Sequence, residues 1–167
     1  MISGAMASYP LSGGGNSWAF LQYVLGLRRL GFNTYYIEQV NPEDCVDDDS
    51  NRTCFSASAN ARYFRMLIER FDLAGHAALL EYDGPGHVGL SHAEVQKLAP
   101  DIDLLINISG RLDIKQVLKA VRQRIYLDMD PGYTQIWQEQ YGQDMNLGGH
   151  DLYVTVGLNL GQPECPF

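Results

Sequence analysis

The chain has 167 residues and a mass of 18.7 kDa, enough for one domain with a sizeable core and more than a disulfide- or metal-stapled scaffold needs. Apolar residues make up 46% and charged residues 19%, which excludes a disordered chain. Twelve Lys and Arg against 20 Asp and Glu leave a net charge of −8, with the excess acid mainly between Glu38 and Asp49, and this disfavours a nucleic-acid or anionic-membrane surface. The cysteines, Cys45, Cys54 and Cys165, form no CxxC pair and are odd in number, so neither a zinc ribbon nor a complete disulfide framework fits. With no signal-like leader and no apolar run of ~18 residues, the sequence reads as a cytoplasmic protein without a membrane span.

In chain order, a short apolar run from Ile2 to Ala7 leads into a glycine run, Ser12-Gly13-Gly14-Gly15-Asn16. Trp18, Leu21, Val24 and Leu25 then share a helical face, with Asn16 or Ser17 as N-cap and Gly31 as the stop. Thr34 to Ile37 is β-branched and aromatic, a strand ending in Glu38. Asn41 to Phe55 reads as an acidic surface loop, and Phe64, Leu67, Ile68 and Phe71 mark a second helix ended by Gly75. Ala77 to Tyr82 is a third strand, and Ser91 with Glu94 forms a capping box for a short helix closed by Pro100. Leu104 to Ile106 is a doubly covered strand, followed by a helix carrying Ile114, Val117, Leu118 and Val121. Arg124 to Leu127 is a fifth strand, Thr134 to Tyr141 a helix, and Leu152 to Val156 a sixth strand.

Strands alternating with helices imply parallel βαβ units, so residues 1–167 are expected to form a single three-layer, doubly wound α/β domain. Its mostly parallel sheet should have about six strands in a Rossmann-like arrangement. In such sheets ligands bind beyond the carboxyl ends of the strands, which directs attention to the loops after each strand.

The glycine run with Glu38 about 20 residues onward invites a dinucleotide-binding reading, but aligning Gly13 and Gly15 with GxGxxG puts Trp18 where a small residue is required. No Gly-Lys-Ser/Thr follows, which excludes a P-loop. What remains is a flexible backbone at a helix N-terminus, suited either to a sugar or phosphate or simply to a tight turn. Asp128 and Asp130 follow a strand and precede a helix, so they could provide a base or, less in keeping with the pattern, hold a divalent cation, while Asp130 could equally cap that helix. His87, in Asp83-Gly84-Pro85-Gly86-His87, is either a general base on a rigid loop or an ordinary surface histidine. No HExxH and no metal-ligand spacing occurs, and the Asp47–Asn51 stretch lacks the Gly and Glu of a calcium loop, so no metal is expected.

Tyr9-Pro10-Leu11 with the glycine run, Leu21-Gln22-Tyr23 through Gly26-Leu27-Arg28-Arg29-Leu30-Gly31, Tyr35-Tyr36-Ile37-Glu38, Asp128-Met129-Asp130-Pro131-Gly132-Tyr133-Thr134-Gln135 and Val156-Gly157-Leu158-Asn159 together resemble the N-terminal half of a GT-B glycosyltransferase. The resemblance spans essentially the whole chain. It implies the acceptor-side domain of a two-domain protein, with a C-terminal domain holding most of a nucleotide-sugar donor, and no cofactor or obligatory metal. It further implies that Gly13, Gly14, Gly15, Asn16, Ser109, Tyr133 and Asn159 contact the acceptor or a phosphate. The base would be His87, Asp128 or Asp130. The expected function is therefore the acceptor-binding half of a glycosyltransferase, inactive alone, taking a small-molecule or glycan acceptor. The alternative is a stand-alone Rossmann-like module that binds a nucleotide or a partner without chemistry.

Overall fold

The computed structural model describes residues 1–11 and 14–165. In chain order it contains β1 (Ile2–Ser3), α1 (Gly15–Arg29), β2 (Tyr36–Val40), α2 (Ala59–Arg70), β3 (Ala77–Glu81), β4 (His87–Gly89) and α3 (His92–Leu98). There follow β5 (Leu104–Ile108), α4 (Lys115–Ala120), β6 (Gln123–Asp128), α5 (Tyr133–Gln140) and β7 (Leu152–Thr155), with three single 3₁₀ turns besides. One sheet takes all seven strands in the order β4-β3-β2-β1-β5-β6-β7. Every neighbouring pair is parallel except β3 and β4. From β1 the chain works outward through β2 and β3 to β4, then crosses to the other flank for β5, β6 and β7. The reversal point of a Rossmann-like sheet thus lies between β1 and β5.

Residue patterns explain the layers. In β3, Ala77 and Leu79 join the core under α1 and α2, whereas Ala78 and Leu80 join the core under α3 and α4, so consecutive apolar residues are buried on opposite faces. Helix α1 turns Ser17, Phe20, Leu21 and Val24 inward at spacings of three and four. The Ser58 hydroxyl accepts the Ala61 N–H at 3.1 Å to start α2, and the foreseen Ser91–Glu94 capping box starts α3 with both reciprocal bonds made. Helix α1 lies so close to the chain just after β1 that a Cβ at Gly4 would collide with the Phe20 ring.

Several expectations change. The sheet has seven strands rather than about six, because His87–Gly89 pairs antiparallel with β3. With three residues and Val88 as its one buried side chain, it carries too little periodicity to be seen in sequence. β1 spans two residues instead of Ile2 to Ala7, since Gly4 onward turns away to meet α1 and α2. β2 runs on to Val40, which places Glu38 within the strand rather than at its end. The segment after β2 is no simple surface loop: Cys45 is fully buried, and Val46 and Arg52 form a bridge. Neither Asn16 nor Ser17 caps α1; Gly14, at φ 87°, occupies that position. No helix among the described residues is long and apolar enough to cross a membrane.

Candidate functional site

The segment after β1 is built on borrowed hydrogen bonds. It has no ladder partners, so side chains from three elements serve its backbone. Asn16 Nδ2 donates to the Ala5 carbonyl at 2.5 Å, Ser17 Oγ to the Met6 carbonyl at 2.8 Å, and Asn60 Nδ2 to the Ala7 carbonyl at 2.8 Å. On the donor side, the Ala7 N–H reaches both Glu38 oxygens at 2.9 and 3.1 Å, and the Met6 N–H reaches the Tyr36 hydroxyl at 3.0 Å. Tyr36 in turn donates to Glu38 at 2.8 Å. Burial pushes the Glu38 carboxyl up to about 7, against the opposing effect of these donors, and burial likewise drives the Tyr36 hydroxyl well above its ordinary value. The acid that sequence reading offered to a ribose hydroxyl is therefore fully occupied in holding this segment to the sheet.

Beyond the carboxyl ends of the strands, at the reversal point, lies a cleft of about 810 Å³. The turn after β5 forms its floor, with Ser109, Gly110, Arg111 and Asp113. Four aromatic rings come from three places: Tyr9 after β1, Tyr82 after β3, and Tyr133 and Trp137 on α5. Tyr133 and Trp137 are 70% and 42% exposed, so their faces are accessible. Ser109 at φ 51° and Gly110 at φ 64° turn the chain sharply after β5. Gly110 is required twice over, because a Cβ there would stand 2.5 Å from the Met145 carbonyl oxygen and 2.9 Å from Asn146 Cβ. The opposite wall, Gln143 to Asn146, is tied down by Asn146 Nδ2 donating to Gly110 O at 3.0 Å and the Tyr126 hydroxyl donating to Met145 O at 3.2 Å. Tyr82 donates to Asp113 at 2.8 Å, a bond that raises the phenol pKa.

The structure separates the three candidate bases. Asp130 is exposed and lines the cleft. Asp128 is 4% exposed, and its carboxylate accepts from the Asp130 N–H (3.0 Å), Thr134 Oγ1 (2.9 Å), Gln135 Nε2 (3.1 Å) and Thr155 Oγ1 (3.2 Å). It organises the β6–α5 turn, but neither aspartate caps α5: the N-cap is Gly132, whose N–H donates to Gln135 Oε1 at 2.7 Å. His87 is exposed on edge strand β4, not in a loop. Five strand spacings of ~4.8 Å put it about 24 Å from β6.

Of the other predicted contacts, Ser109 and Tyr133 line the cleft. Gly14 and Gly15 open α1, and Asn16 is engaged with Ala5. Asn159 lies elsewhere, on a separate hollow of about 530 Å³ with Pro131, Gly132, Gly157 and Leu158. Gly13 falls outside the described residues. Trp18 stands on the outer side of α1, 56% exposed and edge-on to Phe71 at 5.6 Å, while Ser17 and Phe20 face the sheet.

Sequence reading did not single out Arg111, Tyr82 or Trp137. The signal available for them was topological, since each stands in a loop or first helical turns beyond a strand's carboxyl end. Among the described residues no three His, Cys, Asp or Glu side chains are arranged to hold a metal ion. Comparison with family models, characterised proteins and solved structures finds no match.

Proposed function

We propose that the chain is the acceptor-binding half of a nucleotide-sugar-dependent glycosyltransferase. The observation that carries this reading is the make-up of the reversal-point cleft, which sets the rings of Tyr9, Tyr82, Tyr133 and Trp137 among carboxylates and amides. A pyranose presents an apolar C–H face and a rim of hydroxyls, and it is best held by a flat aromatic surface beside polar side chains. Asp130 is the proposed base, the one candidate carboxylate exposed in the cleft. It takes the proton of an acceptor hydroxyl as that oxygen bonds to the anomeric carbon, and the bond to the donor diphosphate breaks with its electron pair leaving on phosphate. The donor is brought by a second domain, so the chain alone binds acceptor and transfers nothing.

Saturation-transfer NMR with neutral mono- and disaccharides tests this reading. Binding is expected, weakened roughly two- to thirteenfold by Trp137→Ala, in line with the roughly 0.5–1.5 kcal/mol attributed to aromatic contacts. Nucleotide binding without any saccharide binding would instead identify a nucleotide-binding module.

A further inference from the structure

We infer that the acceptor taken by this cleft carries an anionic group, a phosphate or a carboxylate, seated on Arg111; the inference rests on the acceptor reading above and specifies its substrate class. Arg111 is the one cation among the described residues lining the cleft. Its guanidinium makes no ion pair or hydrogen bond with any described residue, whereas Arg52, Arg62, Arg122 and Arg124 all hold carboxylates. This is not for want of acids nearby, because Asp113, Asp130 and Asp144 line the same cleft. Five donors in a planar fork thus stand open at the reversal point of the sheet.

The turn beneath Arg111 adds donors of the same kind. The Gly110 N–H and the Ser109 hydroxyl have no partner among the described residues, although their neighbours are bonded: the Ser109 N–H to Leu127 O at 2.9 Å and the Arg111 N–H to Ile108 O at 3.2 Å.

The carboxylates give the ligand a direction. Asp113, which accepts from Tyr82, and Asp130 and Asp144 all repel an anion elsewhere in the cleft. The anionic end is therefore confined to Arg111, and the hydroxyl-bearing end lies toward Asp130 and the aromatic rings. An acceptor with charge at one end and a free hydroxyl at the other fits both halves of the cleft.

The test is calorimetric titration of the full chain with glucose, mannose and galactose, with their 6-phosphates and uronates, and with inorganic phosphate. A charged series is expected to bind at least about tenfold tighter than the neutral sugars, the range of a charge-assisted hydrogen bond. Preference for 6-phosphates over uronates, or the reverse, identifies the group. Arg111→Gln should abolish the advantage and Arg111→Lys should retain part of it. Arg65→Gln, with the same change of net charge on the exposed surface of α2, should leave it intact. Equal affinity for charged and neutral sugars, or an advantage that survives Arg111→Gln, overturns the inference while leaving the acceptor reading standing. Arg111-dependent binding of inorganic phosphate without binding of any sugar preserves the anion site and removes the acceptor reading.

Discussion

Replacing Glu38 with glutamine should change how stability depends on pH. The carboxyl is fully buried and titrates at about 7 in the folded chain, against an ordinary value of 4.5. The folded state therefore binds the Glu38 proton more tightly than the unfolded state does. Stability from this group is fully present below the unfolded value and is lost as pH rises toward the folded one. Each pH unit is worth about 1.4 kcal/mol, so the whole loss is about 3 kcal/mol, of which about 2 kcal/mol falls between about pH 5.5 and about pH 8. That is a large share of an ordinary domain's 5–15 kcal/mol. Glutamine keeps an oxygen for the Ala7 N–H and cannot ionise. Urea unfolding of both proteins across this pH range gives the difference directly, because other titrating groups cancel. The unmodified chain should lose about 2 kcal/mol relative to Glu38→Gln as pH rises. A flat difference curve, or a Glu38 carboxyl carbon that titrates near its ordinary value by NMR, would refute the reasoning.

Asp128→Ala leaves three side-chain donors and one backbone N–H without their acceptor at a nearly buried position, and it should cost about 3 kcal/mol in chemical denaturation. A cost below about 0.5 kcal/mol would show that the β6–α5 turn holds without it. Two glycines with positive φ should respond differently to alanine. Gly14, with only the Tyr63 hydroxyl 3.7 Å from its would-be Cβ, should lose about 1 kcal/mol from backbone strain, and Gly110 should lose about 2–4 kcal/mol because the new Cβ also meets Met145 O and Asn146. Equal losses at the two positions would mean that the cleft wall yields freely.

The alternation of strands and helices was readable because each long element carried its own period. Phe64, Leu67 and Ile68 mark one helix face, and the Ser91–Glu94 box marks a helix start that needs no tertiary help. Edge strand β4 was not readable, since a three-residue strand with one buried side chain is made by its partner β3 rather than by its own pattern. The caps of α1 were misplaced for a similar reason: Asn16 and Ser17 have the right chemistry for capping, but their side chains are turned to the Ala5 and Met6 carbonyls of the segment after β1. Glu38 looked like a ligand-binding acid because sequence spacing shows a carboxylate's position and not the Ala7 and Tyr36 donors that occupy it.

The candidate site was legible as a region. The loops at the strands' carboxyl ends form one cleft, and Ser109, Asp130 and Tyr133 line it. Which acid in Asp128-Met129-Asp130 opens onto the cleft was not legible, because the difference lies in Thr134, Gln135 and Thr155 folding back onto Asp128. His87 was set beside the aspartates by composition and set apart from them by strand order.

Chemical-shift mapping of the uniformly ¹⁵N-labelled chain, titrated with the neutral and charged sugars, tests most directly whether the reversal-point cleft is the acceptor site. Perturbations should cluster at residues 109–113 and 130–137 and saturate together. No saturable shifts with any saccharide, or shifts confined to the hairpin around His87 or the hollow around Asn159, would contradict the account.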